Sequence, residues 1–217
     1  MCSITGSFDL NKLQELIDLN NYRGVHSHSI TVFEPGGLLD TFYVGTNLLY
    51  QDKDMGPLEL DNHDLSKYEG SYYLVHQQAP TTDSNTINSI HPAKIDDTML
   101  WHNGIIKAKQ VEELQKKYNT KCTWDTMLML KQINDIKAPH DIDGTFSCVM
   151  FDGDQLSLFR NEISPLFYDS KLNISSTKFD NSERVEPNNM YLISLLNNQL
   201  VKYDEFTTVE NPYYFFK

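Results

Sequence analysis

Apolar residues recur at helical spacing in three stretches of the chain. Leu10, Leu13, Leu16 and Ile17 form one stripe, and Val111, Leu114 and Tyr118 form a second. Met127, Met129, Leu130 and Ile133 form a third, which predicts a helix from about Asp125 to Ile136 behind Thr123 or Trp124. These side chains read as core packing, not as cofactor contacts. The second stripe has Glu112 and Glu113 near its start and Lys116 and Lys117 near its end, the polarity that a helix dipole favours.

Elsewhere the pattern condenses into short β-type runs: Ser29 to Phe33, Leu38 to Gly45, Tyr72 to Val75, Met99 to Trp101, and Thr145 to Phe151. Five more follow: Gln155 to Phe159, Pro165 to Tyr168, Leu172 to Ser176, Met190 to Leu195 and Leu200 to Tyr203. Asp152-Gly153-Asp154 between two of these runs is a hairpin signal. The acidic stretch from Gln51 to Tyr68, with Gly56 and Pro57, reads as a long surface excursion within a domain. Strands joined by tight turns, with helices in clusters, predict an α+β fold with largely antiparallel sheets. No repeat or low-complexity segment divides the chain, so one domain is expected over residues 1–217.

Composition narrows the classes. With 217 residues, 40% hydrophobic and 22% charged, the chain can bury a core. No run of about 18 apolar residues exists, so no membrane span is expected. Met1 to Gly6 lacks the basic and apolar regions of a secretory signal. Three cysteines, Cys2, Cys122 and Cys148, are an odd and sparse set that suits a reducing cytosol, so a cytoplasmic location is expected. A net charge of −12, without clustered Lys and Arg, argues against nucleic acid as a partner. It serves solubility or a basic partner.

His26, His28 and His63 lack a Cys or carboxylate set at ligand spacing and read as solvent-exposed loop histidines, so no metal is expected. Cys122 and Cys148 read as ordinary element residues, with Cys148 buried. No Gly-rich phosphate loop is present, so neither a nucleotide cofactor nor an ATP-using half is expected.

Cys2 carries the candidate chemistry. A cysteine is small enough for the preceding Met1 to be removed, which leaves a thiol and a free α-amine on one residue. Such an amine has a pKa of about 7.7–8.0, so it can take the thiol proton directly or through water. Taken alone, a second-position cysteine is as readily an accident of sequence.

Further segments accompany it in order: Tyr22-Arg23-Gly24 with Ser27, His76-Gln77-Gln78-Ala79-Pro80-Thr81, His91-Pro92, His102-Asn103-Gly104-Ile105-Ile106, Asp125, Asp143-Gly144-Thr145-Phe146 and Ser164-Pro165-Leu166. In this series the chain resembles the class II glutamine amidotransferases over almost its whole length. The middle is similar to the glucosamine-6-phosphate synthase branch, and Asp143 to Tyr168 to the asparagine synthetase branch. The resemblance implies an N-terminal-nucleophile hydrolase fold, a four-layer αββα sandwich, with Cys2 as nucleophile. It also implies glutamine or a related small amide as substrate.

Roles follow from the same resemblance. Asn103 and Gly104 match the neutral donors that face the developing oxyanion, although Asn-Gly also forms a simple strand-end turn. Asp125 matches the carboxylate that holds the substrate ammonium, although Asp also suits a helix N-cap. Arg23 matches an arginine beside the nucleophile, with a surface arginine as its alternative. Gln78, Thr81 and His91 fall in the substrate-binding segments. Gln78 stands where the family has an arginine for the substrate carboxylate, and an amide lacks the guanidinium's charge and fork. Ser29 and Thr82 also depart from the pattern.

Three functions remain in view. One is a stand-alone glutaminase that supplies ammonia to a separate acceptor protein. The others are a hydrolase of another γ-glutamyl or small amide compound, and an inactive ligand- or partner-binding relative. The aromatic tail Pro212 to Lys217 could dock on such a partner or pack on its own core.

Overall fold

A computed structural model describes residues 2–44, 56–79 and 89–209. Met1, the Gly45 end of the second β-run, the start of the acidic stretch, Thr81, Thr82 and the aromatic tail lie outside the described residues.

The chain runs β1 (Ser3–Ser7), α1 (Leu10–Asn20), β2 (Ser27–Glu34), β3 (Gly37–Val44) and β4 (Tyr72–Gln78). It continues through β5 (Ala93–Ile95), β6 (Thr98–Ile106), α2 (Ala108–Lys117), α3 (Asp125–Ile136), β7 (Gly144–Phe151) and β8 (Leu156–Arg160). Short β9 (Phe167–Tyr168), β10 (Ile174–Ser175) and β11 (Glu183–Arg184) precede β12 (Asn189–Ser194) and β13 (Gln199–Glu205).

One sheet has the order β11-β9-β10-β1-β4-β2-β3 and the other β13-β12-β8-β7-β6-β5. Every described strand pair is antiparallel. Alternation along the strands builds the layers. Ile4, Phe33, Tyr72, Leu74, Met99, Trp101, Val149 and Leu158 fill the gap between the sheets. The opposite faces pack outward: Ile30, Val32, Tyr73 and Val75 against Leu13 and Ile17 of α1, and Leu100, Ile106, Phe146 and Cys148 against Met129, Leu130 and Ile133 of α3. The result is helix, sheet, sheet, helix: the α+β class that the residue pattern predicts, in the four-layer sandwich that the resemblance implies.

Local chemistry explains the element ends. The Asp9 carboxylate accepts from Asn11 N at 2.8 Å and Lys12 N at 3.2 Å, capping α1. The Asp152-Gly153-Asp154 hairpin forms as expected, with Gly153 at φ 100° and Asp152 Oδ1 accepting from Asp154 N and Gln155 N.

Several expectations need correction. β1 and β5 were not anticipated, and β4 and β6 extend to Gln78 and Ile106 through buried polar residues. His28 is no exposed loop residue; it is buried in β2 with Nε2 2.9 Å from Gly56 O. Residues 56–68 are more than a surface excursion, because Leu58, Leu60 and Leu65 are buried with α1. Gln14 pins them there through Leu58 O and Leu60 N.

Candidate active site

The site begins with β1, whose Ser-Ile-Thr-Gly-Ser sequence is buried on both faces. Small side chains are needed because β1 lies mid-sheet between β10 and β4, with a helix over its outer face. A Cβ on Gly6 would stand 2.3 Å from the Tyr72 hydroxyl. Ile4 faces the gap between the sheets, and continuing the alternation aims Cys2 into the same gap. From β4 and β2, the cross-strand pairs His76 with Ser29 and Gln78 with Ser27 present their side chains there too. From the other sheet come Trp101 and Asn103, with Ser147 paired opposite Asn103.

Cys2 is 7% exposed, and its thiol donates to Ala79 O at 3.6 Å. Burial pushes the thiol up to about 11, and the nearby Asp125 carboxylate adds to the rise. Arg23 is no surface residue: it is buried, and its Nε donates to Cys2 O at 3.0 Å while Nη1 donates to Tyr22 Oη at 3.4 Å.

Asn103 reaches toward β1 through Ser176. Its Nδ2 donates to Ser176 Oγ at 3.2 Å and to Ser147 Oγ at 3.4 Å, while Ser176 Oγ accepts from Ile4 N at 2.9 Å. Gly104 lies beside it with no room for a side chain. A Cβ there would fall 1.8 Å from Thr145 O and 2.7 Å from His102 Nε2. The Asn-Gly pair is therefore within a strand pair, not a strand-end turn.

Asp125 is the first residue of α3 and not its N-cap, which is Trp124 with no side-chain cap bond. The carboxylate is buried and accepts from Ile106 N at 3.1 Å and from Thr126 N at 2.8 Å. Thr126 Oγ1 in turn meets His91 Nε2 at 3.0 Å and His102 Nδ1 at 3.1 Å. His76 stacks on His91 with ring centroids 3.9 Å apart and bonds His102 O through Nε2 at 3.1 Å. Burial holds all three histidines below their ordinary value, His76 to about 3.

The partners fix the tautomers. Carbonyl oxygens only accept, so His76 Nε2 and His102 Nε2, which faces Thr145 O at 3.3 Å, carry hydrogens. The bare His102 Nδ1 then takes the Thr126 hydroxyl hydrogen, and Thr126 accepts from His91 Nε2. That leaves His91 Nδ1 bare, 3.4 Å from Gln78 Oε1. Gln78 cannot turn its amide round to help, because Nε2 donates to Ser89 O at 3.0 Å.

Thus Cys2, Arg23, Gln78, His91, Asn103, Gly104 and Asp125 gather at one end of the gap, and Thr81 lies outside the described residues. No protein-family model and no curated protein matches the sequence. Solved structures do match. The glutamine phosphoribosylpyrophosphate amidotransferase from B. subtilis, complexed with ADP and GMP, aligns with a TM-score of 0.64 at 14% identity, over 94% of this chain and 49% of that one. A structure described as the allosteric regulatory enzyme of purine biosynthesis aligns with a TM-score of 0.61 at 16% identity, over 89% of this chain and 47% of that one.

The fold is that of a glutamine amidotransferase domain.

The chain spans about half the length of these two structures. Within this amidotransferase fold, the sequence motifs singled out the ends of the hydrogen-bonded network and missed its middle. Thr126, Ser147 and Ser176 had no assigned role, and His76 and His102 were only motif spacers. Thr126 directly follows Asp125, a signal that was available. Ser147 and Ser176 meet Asn103 from segments far away in the sequence, and no local pattern marks them. Among the described residues no helix is long and apolar enough to cross a membrane.

Proposed function

We propose that residues 1–217 form one glutaminase domain in which Cys2, freed by removal of Met1, cleaves the side-chain amide of glutamine or a related small amide. The α-amine of Cys2 takes the thiol proton, and the sulfur bonds to the amide carbon. Asn103 and Gly104 stabilise the oxyanion, a contribution of about 2.7–4 kcal/mol per donor in comparable sites. The C–N bond breaks, ammonia leaves with the transferred proton, and water cleaves the thioester to the carboxylate. Arg23 positions the nucleophile, and Asp125 receives the substrate ammonium. Gln78, Thr81 and His91 line the substrate. Ammonia passes to a separate acceptor protein in the cytoplasm.

One observation carries this reading: a buried hydrogen-bonded chain runs from Asn103 Nδ2 through Ser176 Oγ to Ile4 N, tying the candidate oxyanion donor to the strand that follows the buried Cys2 thiol. The test is ammonia release by protein whose loss of Met1 is verified by intact mass, compared with Cys2→Ala. Release that disappears in Cys2→Ala supports the reading; release that persists there overturns it.

A second reading, a non-catalytic ligand-binding relative, is favoured by Asn103, whose Nδ2 donates to two serine hydroxyls. An oxyanion would have to displace one of them. Absence of both turnover and covalent capture at Cys2 would select this reading.

A further inference from the structure

The charges around Cys2 are lopsided. Asp125 is a buried carboxylate whose donors among the described residues, Ile106 N and Thr126 N, are neutral, while the Thr126 hydroxyl 3.4 Å away gives its hydrogen to His102 Nδ1. Among the described residues no cation stands within ion-pair distance of it. A buried carboxylate of this kind favours a cationic partner.

Among the described residues nothing comparable awaits an anion. His76, His91 and His102 are buried and neutral, and each has a hydrogen directed at a carbonyl or at Thr126. Arg23 is the described cation beside Cys2, but its Nε and Nη1 bond the Cys2 carbonyl and the Tyr22 hydroxyl. Gln78 is tied into the protein by Ser89 O and Ser27 Oγ. An amide nitrogen has two hydrogens, and Ser89 takes one. The second can meet a carbonyl oxygen, but it brings no charge.

We propose that the amide cleaved at Cys2 belongs to a glutamine unit with a free α-ammonium and a blocked α-carboxyl, such as a glutamine carboxamide or the first residue of a peptide. The proposal rests on the glutaminase reading and adds the substrate class. The ammonium completes Asp125, and the neutral carbonyl of the blocked carboxyl group meets the neutral polar groups around Gln78. A free carboxylate in the same place would be a buried anion without a counter-charge among the described residues. Hydrolysis follows the same balance as above: the side-chain amide and one water give a carboxylate and ammonium.

The test uses the Met1-processed wild-type protein with free glutamine, glutamine carboxamide and the dipeptide Gln-Gly. Side-chain deamidation is read by product mass. One missing charged hydrogen bond corresponds to about tenfold to a hundredfold in kcat/KM, in favour of the blocked compounds. Preference for the carboxamide alone supports a small-molecule source, and preference that extends to Gln-Gly supports a peptide source. Equal or faster turnover of free glutamine overturns the proposal and leaves the glutaminase reading standing. No turnover of any of the three overturns both.

Discussion

Arg23 donates its Nε hydrogen to the carbonyl oxygen of Cys2 at 3.0 Å, and both residues are buried. A charge-assisted bond to the backbone of Cys2, the proposed nucleophile, fixes where the thiol stands. Such a bond contributes about 1.5–3 kcal/mol. Arg23→Lys keeps the charge but loses the planar donor geometry. It is expected to slow covalent capture of Cys2 by a glutamine-like electrophile about tenfold to a hundredfold. Capture rates by mass spectrometry check this, with Cys122 alkylation as the internal control. An unchanged Cys2 rate would remove Arg23 from the positioning role.

Asn103 joins the sheets through Ser176 and braces the neighbouring strand through Ser147, and a structural role alone would make Asn103→Ala merely less stable. As an oxyanion donor it must do more. The variant is expected to lose about 10²–10³ in the rate of thioester formation. Alkylation by a small neutral reagent, which builds no oxyanion, should remain close to the wild-type rate. A parallel fall in both rates would mark Asn103 as structural.

At Gly104 the outcome is steric. An added methyl would meet backbone at 1.8 Å, and backbone yields less readily than a side-chain tip. Gly104→Ala is expected to destabilise the fold at or beyond the upper end of the usual overpacking range of about 1–3 kcal/mol. Urea denaturation measures this, and a midpoint within error of wild type would contradict the β6–β7 packing described above.

The buried histidines set a pH dependence. His76 is held at about 3 by burial, against an ordinary 6.5, and His91 and His102 are shifted in the same direction. Between those limits the unfolded chain binds protons that the fold refuses, so stability rises with pH. It is fully present above about pH 6.5 and is lost as the pH falls toward 3. Thermal scans should show a falling Tm below that point. His76→Gln, which can still donate to His102 O, should show a shallower fall. An equal slope in the variant would exclude His76 as a contributor.

Much of the architecture was legible where one face of an element is apolar. The α3 stripe gave its range of Asp125–Ile136, and the Asp-Gly-Asp hairpin was recognised from its turn residues. β1 was not legible, because its Ser-Ile-Thr-Gly-Ser residues have no polar/apolar alternation and are buried on both faces. The ends of β4 and β6 were missed for a related reason: His76, Gln77, Gln78, His102 and Asn103 are polar residues that the interior satisfies. At the site, chemistry-bearing residues were visible as motifs. What each touches was not, since Asn103 meets Ser176 and Cys2 meets Arg23 only through long-range pairing. Asp125 read equally well as a cap, and only the bonds to Ile106 N and Thr126 N show where its charge lies.

The most direct measurement is intact mass after exposure to a diazoketone analogue of glutamine, free or carboxamide-blocked, for protein with and without Met1. A single adduct mapped to Cys2, formed only once Met1 is gone, is the result predicted. An adduct that forms equally well with Met1 in place, or one that never forms on Cys2 in the processed protein, would contradict a nucleophile activated by its own α-amine.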